Sequence, residues 1–137
     1  MKTAKILVVE DESIVAKDLQ KRLIRIGHVV PTTASSGEEA LSKATEISPD
    51  LVLMDIRLKG KMDGVETAKQ IQSRFNIPVI YLTGYTDKEI SDHAEATQPS
   101  LYLLKPFKEK ELRAVIATAL DLDPIQTKKI SLRMELI

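Results

Sequence analysis

The chain alternates between two kinds of hydrophobic segment. Residues 5–9, 51–54, 79–82 and 101–104 are short apolar runs, rich in Val, Ile and Leu, with no polar residue at every second position. Strands covered on both faces read this way. The segments between them repeat their apolar residues at helical spacing instead. Val15, Leu19, Leu23 and Ile26 mark one stripe, which Gly27 stops. Ala40, Leu41, Ala44 and Ile47 mark a second, closed by Ser48-Pro49, and Val65, Ala68, Ile71 and Phe75 a third, ended by Asn76 and Pro78. Leu112, Val115, Ile116, Ala119 and Leu120 form the last, with Pro124 beyond it. A weaker helix is predicted over Asp87–Gln98, where only Ile90, Ala94 and Ala96 are apolar.

One further strand, His28-Val29-Val30-Pro31-Thr32-Thr33, contains a proline. Proline cannot donate to a ladder, so this strand belongs on a sheet edge. Alternation of strand and helix predicts a doubly wound α/β domain of five parallel strands and five helices with right-handed crossovers. An edge second strand beside a central first strand fits the flavodoxin-like order 2-1-3-4-5. From Ile125 to Ile137 two patterns coexist. Ile130, Leu132, Met134 and Leu136 alternate as in a strand, while Ile130, Met134 and Ile137 suit a helix.

Each apolar run stops at a chemically useful residue. The run 5–9 ends in Glu10-Asp11, 51–54 in Asp55, 79–82 in Thr83-Gly84 and 101–104 in Lys105-Pro106. In parallel α/β sheets the carboxyl ends of the strands line the ligand crevice, and the proposed order sets Glu10 and Asp11 beside Asp55. Three carboxylates at one edge repel unless a cation neutralises them. Oxygen-only ligands favour a hard ion, and magnesium takes a few carboxylates while accepting phosphate oxygens. Asp55 is the candidate nucleophile, since a carboxylate can attack phosphorus to give an aspartyl phosphate. Lys105 would bring positive charge to the phosphoryl oxygens and Thr83 a hydrogen bond. A cis bond before Pro106 would aim the lysine inward.

Composition narrows the class. The 20 Lys and Arg balance the 20 Asp and Glu, and no basic stripe with interleaved aromatics points to nucleic acid. With no Cys there is neither a disulfide framework nor a thiolate zinc site. No stretch approaches a membrane span, and Met1–Lys5 leads into an apolar run too short for a signal peptide. The expectation is a soluble cytoplasmic protein. Neither G-x-G-x-x-G nor G-x-x-x-x-G-K-[ST] occurs, which disfavours a nucleotide-binding module. A phosphatase of the haloacid dehalogenase type needs a second Asp two residues after its nucleophile, and Arg57 stands there. His28 and His93 read as surface or edge residues, Phe75, Tyr81 and Phe107 as core.

Glu10-Asp11, Leu53-Met54-Asp55, Met62-Asp63-Gly64, Tyr81-Leu82-Thr83-Gly84 and Tyr102-Leu103-Leu104-Lys105-Pro106-Phe107 occur in an order that resembles the receiver domain of two-component response regulators, the CheY-like fold. The resemblance covers residues 4–122, leaving 123–137 as a tail or the start of a linker. It implies that Asp55 accepts a phosphoryl group from a sensor histidine kinase or phosphotransfer protein. Glu10, Asp11, Asp55 and the backbone carbonyl of Arg57 would hold magnesium. Thr83 and Lys105 would bind the phosphoryl group, and Thr83 with Tyr102 would form the conformational switch. Such a domain is not a conventional enzyme but assists its own phosphorylation and dephosphorylation. Its output face, formed by the fourth helix, fifth strand and fifth helix, would meet a downstream protein, with a phosphorylation-dependent homodimer as a further outcome. Neither nucleic acid nor membrane is an expected direct partner. Two features depart from the family pattern. The acidic pair is Glu-Asp rather than Asp-Asp, and the loop 56–64 lacks the usual proline four residues after the nucleophile and is one residue longer than in short chemotaxis-type receivers.

Overall fold

Side-chain parity along the strands explains why their sequences are apolar throughout. A computed structural model describes residues 3–58, 60–84 and 101–121. Strands β1 (Ile6–Val9), β2 (Thr33–Ala34), β3 (Leu51–Asp55), β4 (Val79–Thr83) and β5 (Leu101–Leu104) form one parallel sheet in the order β2-β1-β3-β4-β5. Ile6, Val8, Leu51, Leu53, Ile80, Leu82, Leu101 and Leu103 point to one face and pack with helix α1 (Ser13–Arg25) and the last described helix, Glu109–Asp121. Leu7, Val9, Val52, Met54, Val79 and Tyr81 point to the other and pack with α2 (Gly37–Ile47) and α3 (Gly64–Phe75). Successive side chains leave a strand on opposite sides, so covering both faces demands apolar residues at every position. The flavodoxin-like topology expected from the sequence is thus present.

Helix limits follow the capping chemistry. The Ser36 hydroxyl accepts from the Glu39 N–H at 3.1 Å to start α2, and the Asp63 carboxylate accepts from the Glu66 N–H at 2.8 Å to start α3. Ser48 and Asn76 close these helices in the left-handed region, with φ of 47° and 55°. Both stops were readable in sequence, Ser48 directly before Pro49 and Asn76 two residues before Pro78. The predicted helix over Asp87–Gln98 and the two patterns after Ile125 lie outside the described residues.

Two expectations need correction. The second strand was expected across His28–Thr33, yet the ladder consists of an isolated bridge between Lys5 and Val29 and then Thr33–Ala34. Pro31 offers no N–H, so pairing with β1 breaks around it. The orphaned Val30 carbonyl instead accepts from Gln20 Nε2 of α1 at 2.9 Å. His28, read as a surface or edge residue, lies beside the edge strand but is buried. It is 4% exposed, and its Nδ1 accepts the Ala4 N–H at 3.1 Å. Burial lowers its pKa from the ordinary 6.5, and the nearby Arg113 charge lowers it further.

His28 therefore ties stability to pH. Because folding favours the neutral ring, the unfolded chain binds more protons just below pH 6.5, and stability held above that value is lost as the pH falls. His28→Asn keeps an acceptor without titrating. Chemical denaturation of both proteins should give a parent-minus-variant stability that declines below pH 6.5, by at most about 1.4 kcal/mol per pH unit. A difference independent of pH would contradict the assignment.

Candidate functional site

Strand register delivers the site. Val9 pairs with Met54, Asp55 with Leu82, and Thr83 with Leu104, so the residues at or just past these strand ends share one sheet edge. Glu10, Asp11 and Asp55 each bring a carboxylate oxygen to within 4.8 Å of the others. Glu10 is 3% exposed, Asp55 8% and Thr83 5%, while Asp11 is half-buried. The Lys105 ammonium lies 3.8 Å from Glu10 Oε1, with its backbone N–H bonded to the Thr83 carbonyl at 2.6 Å. The Lys105-Pro106 bond is cis, as the sequence suggested.

Local backbone holds the acids in place. One oxygen of Asp55 accepts the Arg57 N–H at 2.9 Å, two residues on, as Asp commonly does in turns. Glu10 Oε2 accepts the Glu12 N–H at 3.2 Å. Gly64, the first residue of α3, packs against the end of β3 so closely that a Cβ there would stand 2.5 Å from the Asp55 carbonyl oxygen. Only glycine lets that helix begin here.

Burial dominates the electrostatics of Glu10. The pKa of Glu10 is pushed up from 4.5 to about 8. Burial is the main cause, followed by hydrogen bonding with Asp11 and Asp55, while the Glu12 N–H works against it and the Asp55 charge adds to it. Lys105, with 37% of its side chain exposed, is too distant and too solvated to offset this. An oxygen-only set of three converging carboxylates, one of them driven toward its protonated form, fits a hard divalent cation.

The remaining predicted residues fall nearby. Thr83 ends β4, and its hydroxyl donates to the Gly84 carbonyl at 3.4 Å. Arg57 is exposed beyond β3. Tyr102 lies one strand over and stacks on Tyr81 with centroids 5.6 Å apart and planes at 27°. Tyr81 is opposite Tyr102 in the ladder, so Thr83 and Tyr102 belong to the same sheet face. Sequence reading missed the close approach of Gly64 and the backbone donors of Arg57 and Glu12. A glycine directly after a helix-capping Asp was the one visible sign.

Comparison with known proteins places this geometry among relatives. The family model for the response regulator receiver domain matches residues 6–117. The chain is 31% identical over 115 residues to the transcriptional regulatory protein PdtaR of Mycobacterium tuberculosis, covering 84% of this chain and 56% of that protein. It is 40% identical over 120 residues to the alkaline phosphatase synthesis transcriptional regulatory protein PhoP of Bacillus subtilis, covering 85% and 48%. The chain thus spans about half the length of these curated relatives. The crystal structure of the signal receiver domain of a modulated diguanylate cyclase from Desulfovibrio desulfuricans G20 superimposes with a TM-score of 0.81 at 34% identity, over 94% of this chain and 98% of that one.

Glu10 makes a pH prediction opposite in sign to that of His28. Its raised pKa means the folded protein binds the extra proton, so this stabilisation is whole below pH 4.5 and drains away as the pH rises to about 8. Glu10→Gln cannot titrate. Without divalent cations, the parent should lose on the order of 3 kcal/mol more than the variant across that interval. Magnesium should restore the parent preferentially at the alkaline end, and parallel pH curves would contradict this account.

Proposed function

The chain belongs to the response regulator receiver family, and on that premise we propose that it is switched by transfer of a phosphoryl group to Asp55 from a histidine kinase or a phosphotransfer protein. The family places it among signalling domains rather than conventional enzymes. The observation that carries the reading is the meeting of three carboxylates within 4.8 Å beside the Lys105 ammonium, at the carboxyl edge of a parallel sheet. A nucleophile, a cation site and a fixed positive charge are what phosphoryl transfer requires.

In the proposed reaction a carboxylate oxygen of Asp55 forms a bond to phosphorus as the phosphorus–nitrogen bond of a donor phosphohistidine breaks. The electron pair returns to the imidazole nitrogen, which takes up a proton. Lys105 pairs with the phosphoryl oxygens and the Thr83 hydroxyl donates to them. Glu10, Asp11, Asp55 and the Arg57 carbonyl would hold magnesium, whose charge offsets that of the carboxylates and the incoming phosphoryl group. The same residues assist loss of the phosphoryl group to water.

The proposed switch follows from the shared face of Thr83 and Tyr102. Drawing the Thr83 hydroxyl toward a phosphoryl group vacates space on that face, which the Tyr102 ring can occupy by leaving its stack on Tyr81. The output surface comprises β5, the helix Glu109–Asp121 and the segment Asp87–Gln98, the last lying outside the described residues. A downstream protein docks there, or a second phosphorylated copy. Direct contact with nucleic acid or membrane is not part of the proposal; among the described residues no helix is long and apolar enough to cross a membrane. We assign residues 4–122 to the receiver and 123–137 to a tail or linker, acting in the cytoplasm.

Asp55→Asn should abolish the mass gain seen on incubating the parent with acetyl phosphate and magnesium. Undiminished labelling of that variant would sink the assignment. With a phosphate mimic bound, amide shifts should change along Leu101–Leu104 and in the last described helix, and Thr83→Ala should suppress those changes. Shifts confined to the loops around Asp55 would refute the Thr83–Tyr102 route.

A further inference from the structure

The loop that carries Lys105 is fixed at both ends. At its start the Lys105 N–H bonds to Thr83, within the sheet. At its far end Lys108 immediately precedes the last described helix, its N–H donating to Glu111 Oε1 at 2.8 Å while its carbonyl accepts from the Glu111 and Leu112 N–H groups. The Glu111 side chain thus caps the helix start by reaching back to the Lys108 N–H. Between these anchors lie Pro106, which has no N–H, and Phe107.

Arg22 of α1 holds this middle portion. Its Nη2 donates to the Phe107 carbonyl at 3.1 Å, and its guanidinium carbon stands 4.5 Å from the centroid of the Phe107 ring. Phe107 is itself half-buried against the core cluster under α1. A planar guanidinium can donate at its edge and lie against an aromatic face at once, which a lysine ammonium does less well. Three residues along α1, Arg25 pairs with Glu109 at 3.3 Å, and Arg113 pairs with the same carboxylate at 3.5 Å. These pairs are exposed and contribute little. The Arg22 contacts are the half-buried ones.

We infer that Arg22 is a positioning residue for Lys105: by clamping Phe107 to α1 it holds the loop so that the Lys105 ammonium stays at the acidic cluster. The consequence reaches Glu10 directly, because Lys105 Nζ lies 3.8 Å from Glu10 Oε1. It reaches Glu12 as well, whose N–H donates to the other oxygen of Glu10. Arg22 touches none of the three carboxylates in this arrangement; it acts through the lysine. The inference rests on the proposed function only where it concerns the rate of phosphorylation.

A double-mutant cycle tests it with Arg22→Leu, Lys105→Ala and the double variant, each checked for folding by circular dichroism. In amide spectra without metal or phosphate, Arg22→Leu should move the Glu12 signal in the direction that Lys105→Ala moves it, and should add nothing in the Lys105→Ala background. In the labelling assay with acetyl phosphate, Arg22→Leu should slow uptake by about three- to tenfold, as expected for a misplaced charged group, but by less than about twofold when Lys105 is already alanine. An unmoved Glu12 signal, or equal effects in both backgrounds, would overturn the inference, since a general loss of stability acts whether or not Lys105 is present. A parent protein that takes up no phosphoryl group would instead remove the proposed function, and the amide spectra would still decide the role of Arg22.

Discussion

Repulsion among Glu10, Asp11 and Asp55 is the constraint on which the site depends, and the apolar core enforces it. Each acid sits at or just beyond the end of a strand whose preceding residues are fully buried. The parallel register aligns those strand ends, so the carboxylates cannot separate without lifting Val8, Val9, Leu53 or Met54 out of the core. Burying one such side chain contributes roughly 1.5–3 kcal/mol. Several together outweigh the cost of crowding partly buried acids. The fold therefore holds the three acids together, and burial, with hydrogen bonding to Asp11 and Asp55, raises the pKa of Glu10.

Glu10 is the acid whose pKa is driven up. Its two oxygens face different donors, Oε2 the Glu12 N–H and Oε1 the Lys105 ammonium. The glutamate side chain is one methylene longer than the aspartate more common at this position in the family. That length lets a residue just past β1 occupy a nearly closed position while its head reaches two partners. A cation entering the cluster must compete with a proton at Glu10. Metal affinity should therefore depend on pH more steeply than carboxylates of ordinary pKa would dictate.

What could be read from sequence was whatever depends on neighbours close along the chain. Strand parity, the helical stripes, the stops at Ser48-Pro49 and Asn76, and the order of the strand ends are of that kind. Together they placed Glu10, Asp11, Asp55, Thr83 and Lys105 at one edge. What escaped depends on segments far apart. His28 meets Ala4 across 24 positions, and Arg22 meets Phe107 across 85. Nothing in the local pattern of α1 distinguishes Arg22 from the exposed basic residues Lys17, Lys21 and Arg25. The second strand failed for a subtler reason. Pro31 correctly signalled an edge, but the same missing N–H also broke the ladder that an uninterrupted strand would have required.

The β4–β5 pair joins the charged edge to the aromatic face. Lys105 is tied to the Thr83 carbonyl, and Thr83 shares a sheet face with Tyr102, which stacks on Tyr81. Tyr81 is fully buried, whereas Tyr102 and Leu104 of the same face are progressively more exposed. A buried ring is hemmed in by its neighbours, since close-packed interiors allow little displacement without a cavity. Tyr102 has solvent on one side and can leave the stack at less cost. If negative charge at Asp55 redirects the Thr83 hydroxyl, the least constrained response on that face is movement of Tyr102. The rise in exposure from Tyr81 to Tyr102 thus gives the proposed switch its direction, from the buried strand β4 to the edge strand β5.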